Sequence, residues 1–212
     1  MKQETNKHLI SALFYFTAFF LWTTALRFLD VQPIGPRGSV VGFATLNGWF
    51  HALTGVHMKL YTLTDWMGLV PVAFGFGFAL LGLIQWITRK QLQKVDRSIL
   101  ALGGFYLLVL ITYLTFEKVV INYRPVLIEG FLEVSYPSST TLLVMTVMPT
   151  AIAQLRNRIR HSLLRHWVCI ILTAFLILMV VGRLISGVHW FSDIIGGLFL
   201  SAGLVAVYKA ML

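Results

Sequence analysis

The sequence predicts an all-α integral membrane protein, a single bundle of six transmembrane helices, and three observations predict it. The first is composition. Of 212 residues, 58% are hydrophobic and 12% charged, against about a quarter charged in ordinary globular domains. A soluble chain of this length must turn much of its surface to water, so a mean hydropathy of +0.80 excludes the soluble and disordered classes. The second observation is that the apolar residues gather in runs approaching the ~20 residues needed to cross a bilayer. The third is charge. Seventeen Lys/Arg stand against eight Asp/Glu, but the basic residues fall in short clusters between apolar runs. That is the loop pattern of a membrane chain, and it argues against a nucleic-acid partner.

In chain order, the first span is Leu9–Phe28. It lacks a small-residue cleavage site and reads as an uncleaved anchor. Residues 30–67 form an outer loop too long for a bare connection. It holds the turn-forming run Pro33-Ile34-Gly35-Pro36-Arg37-Gly38, then an aromatic, amphipathic stretch from Phe43 to Trp66. That stretch reads either as an interfacial helix or re-entrant hairpin, or as a folded loop capping the bundle. The remaining spans are Gly68–Ile87, Ile99–Phe116, Thr141–Leu155, Val168–Val181 and Val188–Val207. The fourth and fifth are short unless polar residues at their ends extend them. The sixth opens with polar residues that must face protein or water.

Basic residues orient the bundle. Lys2 and Lys7 precede span one; Arg89, Lys90, Lys94 and Arg97 lie between spans two and three; Arg156, Arg158, Arg160 and Arg165 lie between spans four and five. These sides are expected to be cytoplasmic, with both termini, in a multi-pass protein of the cell membrane. Cys169 is the only cysteine, so it forms no intrachain disulfide and reads as an inert helix residue. One domain covers residues 1–212.

Polar residues in a membrane chain are costly, so their positions inform. Three clusters fall at the same expected face, the outer one. They are Lys118 to Arg124-Pro125, Ser135 to Thr141 with Pro137-Ser138-Ser139-Thr140 at its centre, and Gly182-Arg183 to His189 and Asp193. Lys118, Arg124 and Arg183 can converge on one dianionic group, the arginines through forked donors that match phosphate oxygens. Ser138, Ser139 and Thr140 lead into a helix, where hydroxyls and free N–H groups favour an anion. His189 and Asp193 are four apart and on a helix would share a face. The carboxylate would then fix one ring nitrogen as a donor and leave the other as nucleophile or base.

At these residues the chain resembles the type 2 phosphatidic acid phosphatase superfamily of membrane lipid phosphatases, whose pattern is Lys-x6-Arg-Pro, Pro-Ser-Gly-His and Ser-Arg-x5-His-x3-Asp. Lys118-x6-Arg124-Pro125 and Arg183-x5-His189-x3-Asp193 are intact, with Gly182 where serine is usual. The resemblance implies a phosphohydrolase without metal or organic cofactor. In that chemistry His189 is the nucleophile that becomes phosphohistidine, and Asp193 orients it. Lys118, Arg124 and Arg183 hold phosphoryl oxygens, with Ser138 and the Ser139 N–H completing the cradle. The implied substrate is a lipid phosphate presented by the bilayer.

The second motif departs from the family, with Thr140 where a histidine would protonate the leaving group. A threonine hydroxyl is far too weak an acid for that role. A phosphate leaving a diphosphate needs a proton less than an alkoxide does, so the departure favours a polyprenyl diphosphate, undecaprenyl pyrophosphate, over phosphatidic acid. It also leaves open an impaired lipid-phosphate binder or transporter, and a lipid phosphotransferase. His51 or His57 could supply the missing acid, or both are merely solvated. Glu117 either pairs with a site cation or ends its helix.

Overall fold

A computed structural model describes residues 2–212. Its helices are α1 (Lys2–Phe28), α2 (Ala44–Thr54), α3 (Met58–Met67), α4 (Leu69–Arg89), α5 (Arg97–Lys118), α6 (Ser139–Arg158), α7 (Ser162–Ile185) and α8 (Phe191–Met211). Each expected span has its helix, and polar ends do lengthen α6 and α7. The sixth begins later than expected, at Phe191 rather than Val188. Gly187 has φ +70° and Trp190, at the N-cap, is extended, so Val188 and His189 belong to the connection.

Helices α8 and α6 form the centre. Helix α1 lies along α8, and α6 is held between α7 and α8. Leu142 and Ala151 of α6 pack with Phe105 and Val109 of α5 and with Leu200, Leu204 and Tyr208 of α8. Val144, Val147 and Met148 of α6 meet Leu172 and Met179 of α7. Five helical stretches are long and apolar enough to cross a membrane: Gln3–Phe28, Met58–Arg89, Arg97–Lys118, Ser162–Ile185 and Phe191–Met211. Helix α6 is absent from that set because of its polar residues. Thr141, Thr146, Thr150 and Gln154 are buried by its neighbours, and the Thr146 and Thr150 hydroxyls donate back to carbonyls one turn earlier, so no polar atom of this stripe needs water.

The long first loop carries two short helices, α2 against α8 and α3 against α7, and their junction bonds the α7–α8 connection. The His57 N–H donates to the Ser186 carbonyl at 2.9 Å. Buried Asn47 accepts from the Ser192 N–H at 3.0 Å and donates to its hydroxyl at 2.9 Å. It thus supplies an acceptor that the first turn of α8 would otherwise lack. The 119–138 connection folds as a narrow loop, bridged at Tyr123–Val134 and Ile128–Phe131. At the opposite end, Asp96 pairs with Arg89 and Arg158 at 3.0 and 3.3 Å and joins the α4–α5 connection to α6.

The seat of the α2–α3 junction depends on Gly187. A Cβ there would lie 1.8 Å from the Gly55 carbonyl oxygen, and its φ of +70° disfavours any side chain. Left-handed backbone alone costs roughly 1–2 kcal/mol for a non-glycine residue, and the clash adds to it. Gly187→Ala is expected to lower stability by about 2 kcal/mol or more, read as a fall in the detergent unfolding midpoint. An unchanged midpoint would mean that the junction is not seated this way.

Candidate active site

The site grows from the start of α8. Asp193 occupies the third helical position and its carboxylate reaches back to accept the Trp190 N–H at 3.0 Å, half of the reciprocal arrangement that favours an acid at this position. Its other oxygen accepts from Asn122 at 3.2 Å, and its backbone carbonyl accepts the Ser138 N–H at 3.1 Å. The Trp190 indole donates to the Tyr123 carbonyl at 2.8 Å. One fully buried acid therefore ties together the α8 terminus, the 119–138 loop and the start of α6.

His189 lies just before the helix, so it and Asp193 do not share a helical face. The extended Trp190 turns the chain back, and the ring reaches the carboxylate from outside the helix. Its Nδ1 is 3.6 Å from Asp193 Oδ2, and its Nε2 is 3.2 Å from Nη1 of Arg124. Guanidinium only donates, so Nε2 presents its lone pair to Arg124. Burial first, then Arg124 and Arg183, holds the His189 pKa well below the usual histidine range. The ring is neutral, with its lone pair on the side where the cations gather.

Arg124 enters from the 119–138 loop, its N–H bonded to the Glu133 carbonyl at 2.9 Å and its Nε 2.9 Å from the Glu133 carboxylate. Arg183, on the last turn of α7, is buried, and its Nη1 and Nη2 donate to α3. The two guanidinium groups flank one ring, Tyr61, at 5.7 and 4.6 Å from its centroid. Lys118 closes α5 exposed, its amine in no hydrogen bond or ion pair among the described residues. Ser138 caps α6: its hydroxyl accepts from the Thr141 hydroxyl at 3.1 Å and faces the Thr141 N–H at 3.5 Å. Its own N–H is committed to Asp193, so the free donors of this turn lie at Ser139 and Thr140.

Two spaces meet here. A small pocket of mixed character is lined by His189, Ser135, Ser139 and Glu117 together with Phe116 and Val134. A cavity of about 1020 Å³ runs between α4, α5 and α6, from Asp65, Tyr113, Ser139 and Thr140 at the site to Trp86, Leu92 and Val95 at the far end. Both spaces are lined by Tyr113, Ser139 and Leu142. Glu117 pairs with no cation and instead interacts with Tyr113. His57 bonds the Thr54 carbonyl at 2.9 Å, within its own turn. His51 lies against Trp190 at 5.5 Å between ring centroids, and burial lowers its pKa. No group of three His, Cys, Asp or Glu among the described residues is placed to hold a metal ion.

Sequence reasoning missed Asn122 and the α3 face of Tyr61, Thr64 and Asp65. Asn122 stood inside the first polar cluster as an amide in an apolar run, which was a usable signal. Nothing in the sequence linked α3 to Arg183.

A buried histidine between a carboxylate and an arginine, at one end of a polytopic helical bundle, defines a membrane protein with an anion-directed centre. The family model of the PAP2 superfamily matches residues 102–212, just over half of the chain, and the protein belongs to that superfamily. Its fold is similar to a solved structure, a transmembrane PAP2-type phosphatidylglycerolphosphate phosphatase from Bacillus subtilis. The TM-score is 0.53 and the identity 18%, with 94% of each chain covered. No curated protein matches the sequence.

The depressed His189 pKa has a measurable consequence. Free histidine is half protonated near pH 6.5. In the folded protein His189 binds fewer protons than in the unfolded chain, so its contribution to stability is complete above about pH 6.5 and is lost as pH falls towards the folded value. Nitrogen-15 NMR of histidine-labelled protein is expected to find the His189 ring uncharged at pH 6, identified by its absence in His189→Gln. A ring that titrates near pH 6.5 would contradict the packing around it.

Proposed function

We propose that the protein is a membrane lipid phosphatase that removes the terminal phosphate of a polyprenyl diphosphate, undecaprenyl pyrophosphate being favoured, or of a phospholipid phosphate. The observation that supports the reading is the place of the buried His189 in a small pocket that shares Tyr113, Ser139 and Leu142 with the long apolar cavity. A headgroup could sit among the cations while its chain lies between α4, α5 and α6. In this reading α6 also crosses the membrane, as the fourth of six spans, both termini are cytoplasmic and the site opens to the outer face of the cell membrane, as the Lys/Arg pattern supports.

His189 Nε2 attacks the terminal phosphorus in line. A P–N bond forms as the P–O bond to the bridging oxygen breaks, and the lipid phosphate leaves with the electron pair. Water then attacks the phosphohistidine, the P–N bond breaks, and orthophosphate departs with the proton from water shared between it and its surroundings. Asp193 Oδ2 stands 3.6 Å from Nδ1, and its charge favours the proton on that nitrogen, leaving Nε2 free to attack. Arg124 and Arg183 hold the equatorial oxygens, joined by Lys118 on binding and by donors at Ser138, Ser139 and Thr140. Fixed donors of this kind contribute about 3–4 kcal/mol each to the transition state. The reaction needs no metal in this scheme.

Two features favour the diphosphate. Thr140 cannot protonate an alkoxide, and a departing phosphate does not require it. The cavity is lined on α4 from Gly68 to Trp86, roughly 27 Å at 1.5 Å per residue, close to the ~30 Å thickness of a bilayer core. A space that deep suits one long isoprenoid chain better than two acyl chains confined to one leaflet. Thr140 also supports a second reading, a binder or transporter that keeps the anion site without turnover.

The test is phosphate release by purified protein in detergent with EDTA present, from undecaprenyl pyrophosphate, phosphatidylglycerol phosphate and phosphatidic acid. Release is expected, greatest from the diphosphate and abolished in His189→Ala. Thr140→His is expected to raise release from phosphatidic acid at least tenfold, a part of the roughly 10²–10⁴-fold that general acid catalysis supplies, and to change diphosphate turnover little. Binding without release would favour the binder, and transfer of labelled phosphate to a lipid or sugar acceptor would favour a phosphotransferase.

A further inference from the structure

Arg183 receives its geometry from outside the segment that the family model matches. On the opposing α3, Nη1 donates to the Tyr61 carbonyl and the Thr64 hydroxyl, each at 3.2 Å. Nη2 donates to Asp65 Oδ1 at 3.0 Å. The guanidinium plane lies over the Tyr61 ring. Its Nε is buried and has no partner. An orphaned charged donor in a 1%-exposed side chain is costly unless something else accepts from it. The approach of the two helices rests on Gly182, where a Cβ would lie 2.9 Å from the Thr64 methyl. A serine at 182, usual in the resembled motif, would push α3 away. The glycine and the α3 contact therefore belong together.

We propose that Asp65 is a positioning residue for Arg183. With Thr64 and the Tyr61 ring it occupies the two terminal nitrogens and fixes the fork, so that the unpartnered Nε edge is the one offered to a phosphoryl oxygen. Its charge also offsets the repulsion between Arg183 and Arg124, which face the same ring. Asp65 lines the cavity mouth beside Thr140 and half of its side chain meets solvent, so it can keep this contact without closing the entrance. This rests on the phosphatase reading for its kinetic consequence but not for its binding consequence.

The experiment is a double-mutant cycle of Asp65→Asn and Arg183→Lys, with Asp65→Glu as the conservative variant. It is followed by lipid diphosphate turnover and, separately, by binding of inorganic phosphate to the detergent-solubilised protein. A mispositioned charged group costs on the order of 10²-fold in rate. Asp65→Asn is expected to lower kcat about 10- to 100-fold with KM changed less than threefold, because the lipid chain dominates ground-state binding. Phosphate affinity should fall at least fivefold, and Asp65→Glu should recover part of both. In the Arg183→Lys background Asp65→Asn should add little, since it acts through the fork that lysine lacks. Losses that multiply in the double variant, or an Asp65→Asn protein with wild-type kcat and phosphate affinity, would overturn the proposal. If the wild type releases no phosphate from any lipid, the phosphatase reading fails, while the phosphate-binding cycle still decides the role of Asp65. Unfolding midpoints within a few degrees of wild type separate positioning from misfolding.

Discussion

A carboxylate with no solvent exposure must have its acceptors filled by the protein, because an unpaired buried charge is among the most expensive groups a fold can hold. Asp193 is that group, and much of the site end of the bundle is arranged to meet its demand. Asn122 comes from the 119–138 loop and the Trp190 N–H from the turn before α8, while the His189 ring stands 3.6 Å away. Its own carbonyl holds the first turn of α6 through Ser138. The elements that bear Arg124, Ser139 and His189 are thus in register because one acid needs them there. Losing that acid would dissolve the arrangement rather than weaken one contact.

The sequence made the spans and the reactive residues readable for a common reason. Apolar runs declare helices in a bilayer, and a charged or imidazole side chain near such a run is rare enough to stand out. Arg183, His189 and Asp193 were visible on those terms. What was not visible depended on direction. Four-residue spacing suggested one helical face for His189 and Asp193, but the positive φ of Gly187 and the extended Trp190 make the contact a turn before a helix. Helix α6 was legible as a run, yet its low hydropathy reflects burial among α5, α7 and α8, which no local window reports. The pairing of α3 with Arg183 joins residues 118 positions apart and left no periodic trace.

In the proposed reading, the two spaces at the site divide recognition between different physical forces. The cations and the hydroxyls of the α6 turn read charge over a short distance, where geometry is strict. The long cavity reads only apolar length, a force nearly proportional to area and indifferent to orientation. Selectivity among lipids with the same headgroup chemistry must therefore come from the cavity or from the leaving-group side near Thr140. Discrimination by the cations alone would not separate them.

The way α1 and α2 are secured to α8 also bears on when the site end can assemble. Trp22 and Asn47 both bond Ser192, across 170 and 145 residues. Contacts of such separation form late, after the intervening chain has found its place. During synthesis the first three helices emerge with these partners still unmade, and Arg183 and His189 are among the later residues to leave the ribosome. The centre is completed only when α8 arrives. A nascent chain that has not yet made α8 therefore lacks the Asp193 contacts that hold the 119–138 loop and the first turn of α6.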